Sequence, residues 1–260
     1  MAVHIGIIGV GIIGEPFVRG LAGGPEDIDV HLSPRNAERS ARLAAEFANV
    51  TVEESNQDVV DKSDWVVLAL LPEAAEAIVR DLTFRPDQRI ITFISTATLA
   101  QVRDWTGVES VTKMVPLPYV AYRVGPIATY PLTPEVEEVF GRLGTLAATE
   151  DEDGLNAMST ITSMQSAFFA TIGEVAVWGG RNGLSPESSQ RFTLDFLEAL
   201  IHKARTLTPD ELADHWREMT PGGLNHTAIT LLQNRGSLHA WQDAMDAVKR
   251  RRQVQTSGNA

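Results

Sequence analysis

Short apolar runs alternate with polar or helical stretches over about the first 110 residues of the chain. Four of these runs have the length of a β-strand and little internal alternation, as is typical of strands buried on both faces of a sheet. They span Val3 to Ile8, Ile28 to Leu32, Trp65 to Leu71 and Arg89 to Ile94, with helical patterns between them at Gly14 to Leu21, Arg39 to Phe47 and Glu73 to Leu82. This order predicts an α/β fold with a doubly wound parallel sheet.

Helical periodicity replaces the strand pattern from about Gly154 onwards. Apolar residues recur at helical spacing from Met158 to Trp178, and the pair Gly179-Gly180 is expected to end that helix. Two later segments, Ser185-Pro186-Glu187 and Thr208-Pro209-Asp210-Glu211, combine a capping residue, a first-turn proline and an early acid. The second half of the chain is therefore predicted to be helical.

The change of pattern places a domain boundary near residue 150, within the acidic stretch from Thr149 to Gly154. We predict an N-terminal Rossmann-type domain at residues 1–150 and an all-helical C-terminal domain at residues 151–260. A chain of 260 residues, of which 43% are hydrophobic, can bury the cores of two such domains.

A glycine motif follows the first predicted strand. Gly9-Val10-Gly11-Ile12-Ile13-Gly14 fits G-x-G-x-x-G and opens a helix. In such a motif the first glycine permits a tight turn, the second lets the backbone approach a pyrophosphate, and the third allows close packing of helix and strand. The helix N-terminus faces the anion. A purely structural glycine turn is the alternative, but the spacing of strand, helix and second strand favours dinucleotide binding.

The residues after the second predicted strand bear on the choice of dinucleotide. An NAD-selective site usually has an acidic residue there for the ribose 2′-hydroxyl, whereas this chain has Ser33-Pro34-Arg35-Asn36. Hydroxyl, guanidinium and amide groups can all donate hydrogen bonds to a 2′-phosphate, so NADPH is favoured over NADH. The alternative is an ordinary surface turn with an exposed arginine.

Composition excludes several classes of function. The formal net charge of -12 opposes binding to nucleic acid or to an anionic membrane. The absence of cysteine rules out disulfides and thiolate chemistry and is compatible with a cytoplasmic location, and the six histidines show no spacing suited to a metal site. We expect a cytoplasmic protein with a small-molecule substrate and no metal.

Beyond the glycine motif, the chain resembles the pyrroline-5-carboxylate reductases, which reduce a cyclic imine acid to proline with NAD(P)H. The matching segments are Ile5 to Gly14, Ser33 to Asn36, Leu68 to Pro72, Met114 to Pro118 and Thr220-Pro221-Gly222-Gly223. The resemblance implies that Leu70, Leu71 and Pro72 join the cofactor site. It also implies that the Pro-Gly-Gly turn leads into a helix that supplies the substrate pocket, and that the helical domain forms a homodimer or a larger homo-oligomer.

The chain departs from the family pattern at the substrate pocket. The family threonine after Pro-Gly-Gly is replaced by Asn225, in Leu224-Asn225-His226-Thr227. The family stretch Ser-Gly-Ser-Gly-Pro-Ala-Tyr corresponds to a bulkier segment that starts at Thr162-Ser163-Met164-Gln165. The resemblance thus assigns Thr220, Gly222, Gly223, Ser163 and Gln165 to substrate binding, within an altered pocket.

Reduction of an imine needs a hydride and a proton, and the proton can come from a hydroxyl or amide donor because many imines are already protonated near neutral pH. Asn225 and Thr227 offer such donors, and His226 is a candidate general acid or a residue that only caps the turn. These three are the predicted catalytic residues.

Other functions remain open on the sequence alone. The β-hydroxyacid dehydrogenases share the two-domain plan but carry a catalytic lysine on the first helix of the second domain, and no lysine lies between Asn156 and Gly179. An NADP-linked reductase of another imine, a carbonyl or a deazaflavin is the enzyme alternative. A sensor that binds NADP without turnover is the alternative outside catalysis.

Overall fold

The computed structural model describes residues 2–24 and 27–257, with the backbone alone for residues 255–257. Residue 1 and residues 258–260, which belong to the predicted first and second domains, lie outside the described residues. The chain forms two compact units. One contains the described residues up to Ser159 and from Arg252 onwards, and the other runs from Thr160 to Arg251. The predicted domain boundary near residue 150 stays a prediction.

The first unit is built on one sheet, whose strands in the described residues are β1 (Val3–Ile8), β2 (Ile28–Leu32), β3 (Val50–Val52), β4 (Trp65–Leu68), β5 (Arg89–Thr92), β6 (Val111–Val115), β7 (Pro126–Tyr130) and β8 (Thr145–Ala148). The order across the sheet is β3-β2-β1-β4-β5-β6-β7-β8. Neighbouring strands are parallel except β6 and β7, which are antiparallel. The predicted doubly wound α/β fold is confirmed.

Helices cover both faces of this sheet: α1 (Gly14–Ala22), α2 (Ala37–Glu46), α3 (Asn56–Asp61), α4 (Pro72–Arg80), α5 (Leu99–Thr106) and α6 (Pro134–Phe140), with 3₁₀ turns at Pro118–Tyr122 and Gly141–Leu143. Successive residues of a strand point to opposite faces. In β4, Trp65 and Val67 accordingly join the apolar core around Phe17, whereas Val66 and Leu68 join the core around Val79. Burial on both faces explains the continuous apolar pattern of β4, whereas β2 alternates between buried apolar residues and the half-buried Asp29 and His31.

Several strands of the sheet were not predicted from the hydrophobic pattern of the sequence. The strand β3 has only three residues, too few to show a period. The strand β6 contains two buried polar residues, Thr112 and Lys113, that interrupt its apolar run. Two predicted strands also end early, at Leu68 and Thr92, because the residues that follow them leave the sheet edge.

Helices make up the rest of the described chain: α7 (Glu152–Thr162), α8 (Gln165–Arg181), α9 (Pro186–Ala204), α10 (Pro209–Asp214), a 3₁₀ turn at His215–Arg217, α11 (Leu224–Asn234) and α12 (Ser237–Ser257). Both predicted helix starts are confirmed, since the Ser185 hydroxyl accepts from the Ser188 N–H and Thr208 forms a capping box with Glu211. Among the described residues, every helix is too short or too polar to cross a bilayer.

The prediction that Gly179-Gly180 ends a helix was wrong. The helix α8 continues to Arg181, and Gly179 is buried inside it. A Cβ atom on Gly179 would lie 2.1 Å from Ser189 Oγ on α9, and that hydroxyl donates to the Ala176 carbonyl at 2.7 Å. The glycine therefore permits close contact between two helices. The segment from Met158 to Trp178 was predicted as one helix, but it is divided into α7, which ends at Thr162, and α8, which begins at Gln165.

Candidate functional site

The glycine motif forms the turn between β1 and α1. Gly9 has a φ of 99°, and a Cβ atom there would lie 2.4 Å from the Ala69 carbonyl oxygen. A Cβ atom on Gly14 would lie 2.4 Å from the Gly9 oxygen. Around Gly11, by contrast, nothing in the described residues lies within 4 Å of a Cβ position. The outer glycines are thus required by the turn, whereas the middle one leaves open space at the N-terminus of α1, which suits a pyrophosphate.

The two isoleucines of the motif differ in exposure. The Ile12 side chain is 77% exposed at the tip of the turn, and Ile13 is half-buried at the N-cap position of α1. An apolar side chain this exposed is a candidate to pack against a bound ligand.

Two of the three predicted phosphate donors brace the glycine turn. Ser33 is buried, and its hydroxyl oxygen accepts the Gly9 N–H at 3.0 Å. The Asn36 amide donates to the Val10 carbonyl at 3.1 Å. Arg35 is exposed and makes no ion pair in the described part of the chain. We therefore expect Arg35 to be the main contact of a 2′-phosphate, with Ser33 and Asn36 holding the turn in place.

Glu15, which sequence analysis missed, lies in the first turn of α1 beside the glycine motif. Its carboxylate lies 3.2 Å from Arg19, 3.6 Å from Arg39 and 2.8 Å from Arg42. Burial alone would raise the pKa of Glu15, but the hydrogen bonds and charges of Arg42 and Arg19 outweigh it and lower that pKa. Three cations thus neutralise a carboxylate that would otherwise repel a phosphate.

The loops after β3 and β4 lie at the same edge of the sheet as the glycine turn, because these strands are parallel to β1. Leu70 lies 3.3 Å from a Cβ position on Gly9, Leu71 is 75% exposed, and Pro72 begins α4. Helix α3, which begins at Asn56, follows β3 at this edge. The strand-to-helix topology was the signal that marks this position, since ligands of open α/β sheets bind at the carboxyl ends of strands.

The Thr-Pro-Gly-Gly segment forms a turn in the second unit, just before α11. Gly222 has a φ of 76°, and the Gly223 N–H donates to the Thr220 carbonyl at 3.0 Å. His226 Nδ1 accepts the Gly222 N–H at 3.1 Å, and the Thr227 hydroxyl donates to the Gly223 carbonyl at 3.1 Å. The turn is held by the side chains that follow it.

Asn225 differs from its neighbours on α11. Its side chain is exposed and makes no hydrogen bond in the described part of the chain, whereas His226 and Thr227 are engaged with the turn. The structure therefore brings all three predicted catalytic residues together on one helix start, with Asn225 available to a ligand.

A groove of about 270 Å³ in the second unit adjoins this turn. Its lining includes His226, Met219 and the stacked pair Trp216 and Arg217, whose guanidinium lies 4.8 Å from the indole centroid. Ser163 and Gln165 lie elsewhere in this unit, where α7 ends and α8 begins. Within the described residues, no cluster of three or more His, Asp or Glu side chains is arranged to hold a metal ion.

The helices α8 and α9 of the second unit leave large apolar side chains exposed. These are Phe168, Phe169, Val175, Val177 and Trp178 on α8, and Phe192, Leu194, Phe196, Leu200 and Ile201 on α9. An exposed apolar surface of this kind is typical of a protein–protein interface.

Two family descriptions match the chain, one in each half. Residues 4–98 match the family described as NADP oxidoreductase, coenzyme F420-dependent. Residues 152–254 match the family described as pyrroline-5-carboxylate reductase dimerisation. The first match contains the glycine turn, and the second contains the apolar helices and the Pro-Gly-Gly turn.

Comparison with individual proteins also finds pyrroline-5-carboxylate reductases. A pyrroline-5-carboxylate reductase of Pseudomonas aeruginosa is 25% identical over 260 residues, covering 95% of both chains. The crystal structure of 1-pyrroline-5-carboxylate reductase from Streptococcus pyogenes superposes with a TM-score of 0.82 at 21% identity, over 97% of this chain and 99% of that one. The Plasmodium falciparum pyrroline carboxylate reductase with NADP bound gives 0.80 at 16% identity, over 98% of each chain. At these identities the two structures establish the fold.

Proposed function

We propose that this chain is a member of the pyrroline-5-carboxylate reductase family and an NADPH-dependent reductase of a carbon–nitrogen double bond. The observation that carries the proposal is the pairing, in one chain, of an open glycine turn with a helical segment that matches the family's dimerisation domain. We propose 1-pyrroline-5-carboxylate, or a related cyclic imine, as substrate, and proline biosynthesis as the first role to test. The curated relative from Pseudomonas aeruginosa supports this choice.

The described residues fit a bound dinucleotide. The space above Gly11 and the N-terminus of α1 would receive the pyrophosphate, and Arg35 would contact the 2′-phosphate. The related Plasmodium structure with NADP bound supports NADPH over NADH. When bound, NADPH supplies the hydride that reduces the acceptor carbon. The role of the protein is to hold the two reactants in register and to supply polar contacts to the imine.

Hydrogen bonding distinguishes the three predicted catalytic residues. The Thr227 hydroxyl proton is directed to the Gly223 carbonyl, and His226 accepts the Gly222 N–H through Nδ1, which leaves only Nε2 able to donate. Asn225 has both amide protons available. We therefore propose that Asn225 donates to the substrate, with His226 and Thr227 holding the turn that places it. Thr220, Gly222 and Gly223 form the adjoining wall of this substrate site.

A homodimer or larger homo-oligomer is part of the proposal. The exposed apolar side chains of α8 and α9 would be covered by a second copy of the chain, and the dimerisation match spans both helices. We further propose a cytoplasmic location, which agrees with a sequence that has no cysteine.

A deazaflavin acceptor has one observation in its favour, because coenzyme F420 is a deazaflavin and residues 4–98 match a family named for it. That match covers the glycine turn and neighbouring strands, which bind the nucleotide shared by both classes. Residues 152–254, where the acceptor would bind, match the reductase of the imine instead. The imine is therefore the better-supported acceptor.

The decisive experiment is NADPH oxidation by the purified protein with pyrroline-5-carboxylate and, in parallel, other cyclic imines. We expect turnover that falls at least about tenfold in Asn225→Ala, equivalent to about 1.4 kcal/mol. Asn234→Ala changes the same residue type at the other end of α11 and should match the unmodified protein. Asn225→Thr restores the family residue and should retain turnover.

Measurable NADPH binding without turnover of any imine would reject the reductase proposal and favour the sensor alternative. Equal turnover in Asn225→Ala and Asn234→Ala would reject the role of Asn225 while leaving the reductase intact.

A further inference from the structure

Lys113 is a buried lysine in the middle of β6. It is 5% exposed, in a position where charged side chains are rarely found unless they are paired. Its ammonium donates to the Ala97 carbonyl at 2.6 Å and lies 3.3 Å from the Ser95 carbonyl. Both carbonyls belong to the segment that joins β5 to α5. A buried ammonium is costly without hydrogen bonds, so the lysine and this segment constrain each other.

Glu152, the first residue of α7, holds the same segment from its other end. Its two carboxylate oxygens accept the Leu99 N–H at 3.2 and 3.3 Å, at the first residue of α5. One of these oxygens lies 3.8 Å from Lys113 Nζ. The carboxylate therefore serves both the N-terminus of a helix and the buried ammonium.

The position of this segment gives the contact its importance. The strand β5 lies next to β4, which lies next to β1, so the loops after these strands are neighbours at one edge. A dinucleotide whose 2′-phosphate meets Arg35 after β2 and whose pyrophosphate lies over Gly11 must extend its other half towards β4 and β5. The Ser95–Ala97 segment would then lie beside the nicotinamide.

Lys113 does not itself reach a reactant. Its ammonium is directed at the two carbonyls and is shielded from solvent. Burial lowers the pKa of Lys113, and the charge of Glu152 opposes that change. A role through the segment is therefore the one that the geometry allows.

We propose that Lys113, supported by Glu152, is a positioning residue that fixes the Ser95–Ala97 segment at the nicotinamide end of the cofactor site. The inference rests on the proposed function, because the segment matters only if a nicotinamide lies beside it. Hydride transfer depends on placement to within about 1 Å, so displacement of the segment should affect the chemical step more than binding.

The test compares Lys113→Met, Lys113→Arg and Lys249→Met, the last being a control at an exposed lysine of α12. We expect Lys113→Met to keep its NADPH dissociation constant within about threefold and to lose about 10- to 100-fold in kcat, with a smaller change in KM for the imine. Lys113→Arg should recover most of kcat, since a guanidinium can donate to both carbonyls. Lys249→Met should match the unmodified protein.

Amide hydrogen exchange gives a readout that is independent of turnover. In the unmodified protein, NADPH should protect residues 93–99 and the glycine turn. In Lys113→Met it should protect the glycine turn alone. If no imine is reduced by any variant, the proposed function fails, while this difference in protection still decides whether Lys113 positions the segment.

Two results would overturn the inference. The first is a folded Lys113→Met protein with unchanged kcat and unchanged protection of residues 93–99. The second is loss of thermal stability with kcat per folded molecule unchanged, which would make Lys113 a structural residue only. If Lys113→Met does not fold, Glu152→Gln replaces it, because the amide oxygen can still accept the Leu99 N–H while the charge is removed. A fall in kcat in that variant, with NADPH affinity kept, supports the inference, and unchanged kcat rejects it.

Discussion

The backbone N–H of Gly9 donates a hydrogen bond of 3.0 Å to the Ser33 hydroxyl oxygen, which joins the glycine turn to the end of β2. Because Ser33 is 1% exposed and Gly9 is partly buried, loss of the hydroxyl would leave the Gly9 N–H without this partner. We expect Ser33→Ala to lower the unfolding free energy by about 1 kcal/mol and to weaken NADPH and NADH binding by similar factors. Fluorescence titration with both dinucleotides checks this, and a loss confined to NADPH would instead show direct contact with the 2′-phosphate.

Arg35 should determine the preference between the two dinucleotides. It is exposed at the carboxyl edge beyond β2, and hydrogen bonds to charged groups are worth about 1.5–3 kcal/mol. We expect Arg35→Ala to weaken NADPH binding about 10- to 100-fold and to change NADH binding little. Arg250→Ala, at an exposed arginine of α12, is the control for the loss of one positive charge and should match the unmodified protein. An equal loss for both dinucleotides in Arg35→Ala would contradict the assignment.

Substitution by alanine should affect cofactor binding at Gly11 and folding stability at Gly14. A Cβ atom on Gly11 meets nothing within 4 Å in the described residues, so Gly11→Ala should fold normally but obstruct the pyrophosphate and weaken NADPH binding about tenfold or more. A Cβ atom on Gly14 would lie 2.4 Å from the Gly9 carbonyl oxygen, so Gly14→Ala should lower the unfolding free energy by about 1–3 kcal/mol. Thermal unfolding and NADPH titration of both variants separate the two effects. Normal NADPH affinity in Gly11→Ala would place the pyrophosphate elsewhere.

Sequence analysis predicted those elements whose burial or capping is visible in the residue pattern of the element itself. The strands β1 and β2 were predicted with their observed ends, because apolar residues, most of them buried, recur along both strands. Ser185 and Thr208 correctly predicted the starts of their helices, since a helix cap depends only on residues within one turn. Local signals of this kind need no knowledge of distant contacts.

Features that depend on distant partners were missed or predicted differently. Gly179 was predicted to end a helix. The residue that leaves no room for a side chain there, Ser189, lies on another helix and is not visible in the local sequence. Ser33 stays a predicted contact of the cofactor, and its hydrogen bond with Gly9, which lies in the turn after β1, is not visible in the residues around Ser33. Lys113 interrupts an apolar run, and the carbonyls that accept from it are known only once β5 and β6 pair.

The exposed apolar surface of α9 should be required for assembly. Phe192 is 69% exposed, and a charge there would be costly to bury against a second copy. We expect Phe192→Glu to shift the protein from an oligomer to a monomer in light scattering coupled to gel filtration. Gln190→Glu adds the same charge to an exposed position of the same helix and is the control for charge alone. Oligomers of unchanged mass in Phe192→Glu would place the interface on another surface.

Glu53 should make the first unit sensitive to acid. Its carboxylate is buried at the end of β3, lies 2.8 Å from His31 Nδ1 and pairs with Lys62. Burial by itself would raise the pKa of Glu53, but the hydrogen bonds from Lys62 and His31 outweigh it, so that pKa is lowered on folding. A carboxyl group whose pKa is lowered on folding stabilises the protein above its unfolded pKa of about 4.3, and this contribution is lost as the pH falls through the folded value.

Glu53→Gln removes the charge and should therefore lower the unfolding free energy by about 1–3 kcal/mol at pH 7. The gap between the variant and the unmodified protein should stay constant down to about pH 5 and then narrow as the acid form is populated in both folded and unfolded chains. Urea unfolding at fixed protein concentration, repeated from pH 7 to pH 3.5, measures this gap. Glu54→Gln, at the exposed neighbouring carboxylate, is the control for the loss of one surface charge. A Glu53→Gln gap of the same size at pH 7 and pH 3.5 would mean that the side chain stabilises the sheet edge by its shape and hydrogen bonds, and that its charge contributes nothing.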